Sequence, residues 1–349
     1  TDARKAIAFF GLLKHSKGEW AGRTVVLEPW QQFILWSLFG WKRREYDDAG
    51  RELWTRRFRT SYLEVARKNG KTTVAAGVGL FLLIADGEPG AEVYSAATKR
   101  DQARISHSEA TRMAKASPPI RRQVTVFKDN INIPGTASKF EPLGRDADSM
   151  DGLNVHAALI DEVHAHKTRD VWDLLETATG ARRQPLMFGI TTAGYDRQSL
   201  CFQQHEYTEK VLSGVVEDDT WFGMIFSIDP DDDWMDETVW VKANPNLGVS
   251  KKWDDMRRMA TRAREMPSAL NAFLRLHLDV WTQSETKWIA REHWDACGMA
   301  VDAAGLRGRT ARPAVSGHGR ESEPARAMGR FRESLSGSHV GRPSCEPLY

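Results

Sequence analysis

An α/β fold built on a mainly parallel sheet follows from three features of the sequence. Short apolar, β-favouring runs (61–65, 91–97, 156–161 and 186–192) alternate with helix-forming segments. The connections between these runs are long enough to hold crossover helices, which cover a parallel sheet on both faces. Polar residues able to do chemistry gather just past the C-terminal tips of the runs, where open α/β sheets bind their ligands.

The first run sets the pattern. Tyr62, Leu63 and Val65 supply its apolar bulk, a polar turn closes with Gly70-Lys71-Thr72-Thr73, and Val74 to Ile84 continues as an Ala/Val/Leu-rich helix. Strand, Gly-Lys-Thr loop and helix is the arrangement of a phosphate-binding P-loop. Free N–H groups at the helix start and the positive end of its dipole favour a polyanion there. Gly70 allows close approach of the backbone, Lys71 can reach the β- and γ-phosphates, and the Thr72 hydroxyl can face Mg²⁺. The usual pattern carries a glycine five positions before the second one, and here that position is Val65. On this stretch alone a basic turn capping a helix is the competing reading.

The second element that matters is the run from His156 to Ile160, which ends in Asp161-Glu162. An acidic pair at a strand tip suits a P-loop hydrolase: the aspartate holds Mg²⁺ through water and the glutamate acts as general base. His164 and His166 follow at alternate positions and are expected as solvated loop histidines, since no third ligand stands at metal-binding spacing. The run from Leu186 to Thr192 ends in Thr191-Thr192-Ala193-Gly194, small hydroxyl residues suited to sensing the γ-phosphate. Together these three tips predict a RecA-like (ASCE) P-loop NTPase.

The remaining elements fit around them. Ala3 to Lys14 reads as an amphipathic helix, Val25 to Glu28 as a short strand, and Pro29 opens a helix through Phe39. Gln31 or Gln32 on that helix can give a bidentate contact to an adenine edge, as in the Q motif of nucleic-acid motors, which this element resembles. Lys99 to Ala116 reads as a helix, and 124–127 with 131–133 as a hairpin. Gly144 to Asn154 is a polar loop, and Asp170 to Ala178 a helix. Beyond Gln198 a helix (200–212), a strand-like run (221–228) and an acidic turn (229–233) lead into helices at 251–264 and 267–276. A short helix ending near Cys297 follows Trp281 and Trp288. The expected division is an ATPase domain at 1–197, a mostly helical linker subdomain at 198–305 and a disordered Arg/Gly/Ser/Pro-rich tail at 306–349.

Composition narrows the class. A 349-residue chain with 41% hydrophobic and 28% charged residues can bury a large core. Its net charge of +2 restricts any nucleic-acid surface to a local patch. Three cysteines without metal spacing suit a reducing compartment. The longest apolar stretch, near Gly77 to Ala85, is too short to span a bilayer, so an intracellular protein with no membrane partner is expected. Most of the 13 tryptophans are expected as packing anchors.

A wider set of residues now stands out: Pro29-Trp30-Gln31, Ala66-Arg67-Lys68-Asn69-Gly70-Lys71-Thr72, Leu159-Ile160-Asp161-Glu162-Val163-His164-Ala165-His166, Thr191-Thr192-Ala193-Gly194 and Ala243-Asn244-Pro245-Asn246-Leu247-Gly248. Over about Phe10 to Cys297 the chain resembles the tailed-phage terminase large subunit, a family that tolerates a P-loop without its first glycine. The resemblance implies an ATP- and Mg²⁺-dependent motor that drives double-stranded DNA through a portal protein into a procapsid. It implies work with a terminase small subunit, as a homo-oligomeric ring, in the host cytoplasm. Carried over, Arg67, Lys68, Asn69, Gly70, Lys71, Thr72 and Thr73 cradle the nucleotide with Gln31 on the adenine side. Thr72 and Asp161 hold Mg²⁺, Glu162 is the base, Arg67 faces the γ-phosphate, and Thr191 and Thr192 couple hydrolysis to movement. The family's nuclease domain is expected to be missing: after Cys297 the only acids are Asp302, Glu321, Glu323, Glu333 and Glu346, and the stretch after about Arg307 reads as out of frame or as an Arg-rich DNA-binding tail. DNA cleavage is therefore not expected. A helicase-type ATPase and an inactive fragment that only binds nucleotide or DNA are the alternatives.

Overall fold

The structure, a computed structural model, describes residues 1–97, 100–144 and 152–283. Helix α1 (Asp2–Phe10) packs beside α2 (Pro29–Gly40), whose first turn is fixed by Pro29 and a capping box between Glu28 and Gln31. Between them, 25–28 forms no strand; a single bridge joins Lys14 to Thr24. An antiparallel hairpin follows, β1 (Lys42–Tyr46) and β2 (Glu52–Arg56).

Strand β3 (Thr60–Val65) is buried at all six positions and runs into helix α3 (Lys71–Ile84). Gly70 caps that helix at φ +82°, a left-handed conformation cheap only for glycine. Next come β4 (Glu92–Ala97), α4 (Arg100–Ala116), α5 (Pro118–Arg121), β5 (Thr125–Val126), β6 (Ile131–Ile133), β7 (Ser138–Gly144), β8 (Val155–Asp161), α6 (Asp170–Thr177), β9 (Leu186–Thr191), α7 (Leu200–Leu212) and β10 (Trp221–Phe226). Helices α8 (Trp240–Ala243), α9 (Trp253–Glu265) and α10 (Pro267–His277) end the described chain.

The main sheet has the order β10-β3-β9-β8-β4-β7-β6-β5. Its pairings are parallel from β10 to β7, and the β5–β6 hairpin extends the β7 edge antiparallel. One strand, β9, separates the P-loop strand from the acid strand β8, so this is the RecA-like arrangement expected. Alternate residues of β3 feed opposite layers: Leu63 joins Phe81, Phe140, Leu159 and Phe188 on the α3 face, and Tyr62 joins Trp172, Leu175 and Leu200 on the α6–α7 face. A β-carbon on Gly79 of α3 would meet Leu159 at 2.5 Å and Phe140 at 2.9 Å, so the helix lies directly on the sheet. A third apolar cluster, with Trp240, Met256, Phe273 and Leu278, packs beneath Ala66 of the P-loop.

Several expectations shift. Residues 221–226 of the strand-like run form the sheet strand beside β3, so the sheet continues past residue 198, where the mostly helical subdomain was to begin. Trp172 and Trp240 are buried anchors, but Trp36, Trp41 and Trp54 are exposed. The segment of the polar loop at 145–151, the short helix near Cys297 and the tail from 306 lie outside the described residues.

Candidate active site

The P-loop is held from below. Lys68 and Gly70 both take positive φ, which turns the loop sharply around Asn69. The Asn69 amide is fully buried: its Nδ2 donates to Ala66 O at 2.9 Å and to Asn244 Oδ1 at 3.1 Å, and its Oδ1 accepts from the Asn246 N–H at 3.0 Å. Asn246 in turn donates to Asn69 O at 3.3 Å and accepts from the Trp30 indole at 2.6 Å. Ser250 donates to Lys68 O at 2.6 Å, and the Arg67 N–H donates to Leu276 O at 2.9 Å. These bonds fix a backbone that local sequence alone would leave strained.

Lys71 is buried and bends back onto the loop, donating to Val65 O at 2.8 Å and Ala66 O at 3.3 Å. Burial lowers its pKa, while Glu162, Asp279 and Asp161 oppose that shift. Across the tips of the sheet, Asp161 Oδ2 accepts from Ser106 at 2.8 Å and from Thr72 at 3.2 Å. Its pKa is raised, first by burial and then by the neighbouring Glu162 charge. Glu162 is left-handed (φ +55°), with its N–H donating to Ile190 O at 2.8 Å and Asp161 Oδ1 at 3.0 Å.

Gln31, Arg67, Lys68, Gly70, Lys71, Thr72, Thr73 and Glu162 line one cavity of about 600 Å³, together with His15, Trp20 and Val249. The Gln31 carbonyl is already engaged by the Glu28 N–H at 3.0 Å, while Gln32 sits outside this cavity and caps Leu27 O. The Asn69 side chain points into the protein, not into the cavity. Thr191 and Thr192 are fully buried behind His164. That histidine corrects an expectation. His164 and His166 are not solvated: burial drives both to pKa values of about 4, and His166 is 2% exposed. The 3₁₀ turn Val163–Ala165 after Glu162 folds His164 against Thr191 of β9, and His166 is buried beside it in the chain. The acidic turn at 229–233 is mostly exposed, with Asp229 and Asp232 both paired to the exposed Lys242.

Two more residues escaped the sequence reading. Asp279 is 1% exposed and left-handed (φ +58°), and accepts from the Ala193 N–H at 2.8 Å. Burial raises its pKa strongly. Trp281 donates to the buried Glu64 at 3.0 Å and packs on Gly194. Neither lies in a recognisable local pattern.

A parallel sheet with a P-loop, an oxygen-rich acid pair and a hydroxyl-bearing strand between them identifies a nucleotide-type site but not a family. A model of the terminase large subunit ATPase domain matches residues 29–210, more than half of the chain. The chain belongs to the terminase large subunit family. The family match removes the ground for the helicase alternative. A second model, the terminase large subunit endonuclease domain, matches residues 215–315. This corrects the expectation that the nuclease domain is missing. That expectation considered only acids after Cys297, whereas the match begins before β10.

Among relatives, Protein YmfN of Escherichia coli (strain K12) is 37% identical over 147 residues, covering 42% of this chain and 32% of that protein. The terminase large subunit of Enterobacteria phage HK97 is 27% identical over 289 residues, covering 81% of this chain and 53% of that one. The crystal structure of the HK97 bacteriophage large terminase superposes with a TM-score of 0.68 at 24% identity, over 85% of this chain and 59% of that chain, a likeness of fold. This terminase chain thus spans from about a third to about half the length of the relatives it matches. Among the described residues no helix is long and apolar enough to cross a membrane.

Proposed function

We propose that this terminase chain binds ATP in the cavity above the P-loop and hydrolyses it to drive double-stranded DNA into a procapsid. The observation that carries the proposal is the convergence of Lys71, Thr72, Asp161 and Glu162 at the tips of β3 and β8. Lys71 would leave the Val65 and Ala66 carbonyls for the β- and γ-phosphates, with Arg67 at the cavity edge offsetting charge as the γ-phosphoryl transfers. Thr72 and Asp161 fit a hard divalent cation: hydroxyl and carboxylate oxygens already meet there, one of them on a buried acid that lacks a cationic hydrogen-bonding partner. Bound Mg²⁺ would neutralise developing phosphate charge. Glu162 would orient and deprotonate the attacking water, and Thr191 and Thr192 would transmit the change through β9. Portal protein, terminase small subunit and other copies of the chain in a ring are the partners this reading calls for, in the host cytoplasm and transiently at the procapsid.

One experiment tests the chemistry. Purified chain is titrated with ATP and Mg²⁺ and assayed for phosphate release. Lys71→Ala should lose nucleotide binding, and Glu162→Gln should bind ATP while turnover falls roughly 10²-fold or more. Unchanged affinity in the first variant, or unchanged turnover in the second, sinks the assignment.

A further inference from the structure

One imidazole links the side chains at the acid tip of β8 to the hydroxyl tip of β9. The left-handed turn at Glu162 throws His164 back toward Thr191. The His164 N–H donates to Thr191 Oγ1 at 3.1 Å, and Thr191 directs its own hydroxyl proton to Thr192 O at 3.0 Å. Thr191 Oγ1 thus acts as an acceptor toward its other neighbours, with the Cys201 thiol a weak further donor to it at 3.7 Å. His164 Nδ1 lies 3.0 Å from that oxygen and 3.2 Å from Glu162 Oε2, two groups able to accept, and the ring proton is assigned to Nδ1 on that ground. Thr192 Oγ1 is a further neighbour at 3.4 Å.

The second observation is on the carboxylate. Glu162 Oε2 is enclosed and has no aligned hydrogen bond. A buried oxygen left in this way is costly and takes a donor with little motion, and the Nδ1–H is the group within reach. The ring is neutral because burial, followed by Lys71, Arg67 and Arg275, disfavours its charged form. A neutral donor can orient a carboxylate without depressing its basicity as a cation would.

We propose that His164 is a positioning residue whose Nδ1–H is exchanged between Thr191 and Glu162, so that the orientation of the base and the tip of β9 are set together. The proposal rests on the reading of Glu162 as the base. It predicts that His164 matters to turnover rather than to ATP binding, and that it acts only through the Glu162 carboxylate.

The test compares His164→Ala, His164→Asn and His164→Gln in the whole chain by steady-state ATP hydrolysis, each also combined with Glu162→Gln. The amide nitrogen of asparagine falls near the place of Nδ1, whereas that of glutamine falls near Nε2. The alanine and glutamine variants should lose about tenfold in kcat with KM for ATP held within about twofold. Asparagine should recover kcat to within about threefold of the parent. In the Glu162→Gln background none of the three should lower the residual rate further. Equal rates for asparagine and glutamine, KM rising in step with kcat falling, or full additivity with Glu162→Gln overturns the proposal while leaving the base assigned. A Glu162→Gln chain that turns over like the parent overturns the base and the proposal together.

Discussion

The two sides of the proposed nucleotide site are built on opposite terms. On the P-loop wall, neutral amides and backbone groups satisfy one another across some 175 residues of sequence, from Asn69 to Asn244 and Asn246. On the acid wall, Asp161 and Glu162 sit side by side, Asp161 with a raised pKa and Glu162 with an enclosed oxygen lacking an aligned partner. On the proposed reading, the loop that would grip phosphate is over-determined, and the groups that would do chemistry are left under-satisfied. Stability is concentrated where geometry must be fixed, and withheld where charge must be ready to meet a cation or a water.

The largest effect expected from this contrast is on the loop wall. Asn69→Ala removes the amide from four partners and strands the Asn246 N–H in the interior, while Asn244 Oδ1 keeps only Lys251. A loss of roughly 3 kcal/mol in urea unfolding is expected, with weaker ATP binding. A loss below about 1 kcal/mol would mean that the loop keeps its shape without the brace.

How much of this was legible in the sequence follows the same divide. The Gly-Lys-Thr loop, the Asp-Glu tip and the Thr-Thr-Ala-Gly tip are local patterns, each complete within a few residues of its strand; the loop and Glu162 share one cavity, and the Thr-Thr tip lies buried behind His164. Asn244 and Asn246 stood out in the sequence only as part of a family motif, because their partner lies on another element. The hairpin β1–β2 escaped because Lys42, Arg43, Arg44 and Glu45 expose both faces and show no apolar alternation. Strand β7 went unread because Lys139, Glu141 and Pro142 break its apolar alternation, and only β4 and β6 on either side show it to be a strand. His164 was misjudged because spacing along the chain does not show which way a left-handed residue turns it.

A second, intermediate effect concerns Lys251, which is 1% exposed and donates to Asn244 Oδ1 at 2.6 Å. Burial brings its pKa down to about 7 from the ordinary 10.5, with Lys71 adding to the shift. Folded, the amine releases its proton near 7; unfolded, near 10.5. Between those values the unfolded chain binds the extra proton, so this residue makes stability rise with pH across the window, and its contribution is least favourable below 7. Comparing the parent with Lys251→Met by thermal unfolding from pH 6.5 to 9 should show a rise of about 1 kcal/mol per pH unit or less that is present in the parent and missing in the variant. Parallel curves would show that the ammonium is retained through its bond to Asn244, and that the brace contains a charge.

The smallest effect should carry the opposite sign, which makes it the sharpest test of the contrast. Asp161→Asn removes one of two adjacent acids, and with it the repulsion from Glu162 and the cost of burying a charge. The hydroxyls of Ser106 and Thr72 can each turn to donate or accept, so both amide atoms of the asparagine can be satisfied in place. Attraction between Asp161 and Lys71 is lost as well, but it is outweighed by burial and the Glu162 charge, which together raise the carboxyl's pKa. In EDTA the variant should therefore be more stable than the parent by about 0.5–1 kcal/mol, while with Mg²⁺ and ATP the parent should gain stability that the variant does not. Destabilisation beyond about 1 kcal/mol in EDTA would mean that Asp161 is a structural anchor like Asn69, and that the two walls are built alike.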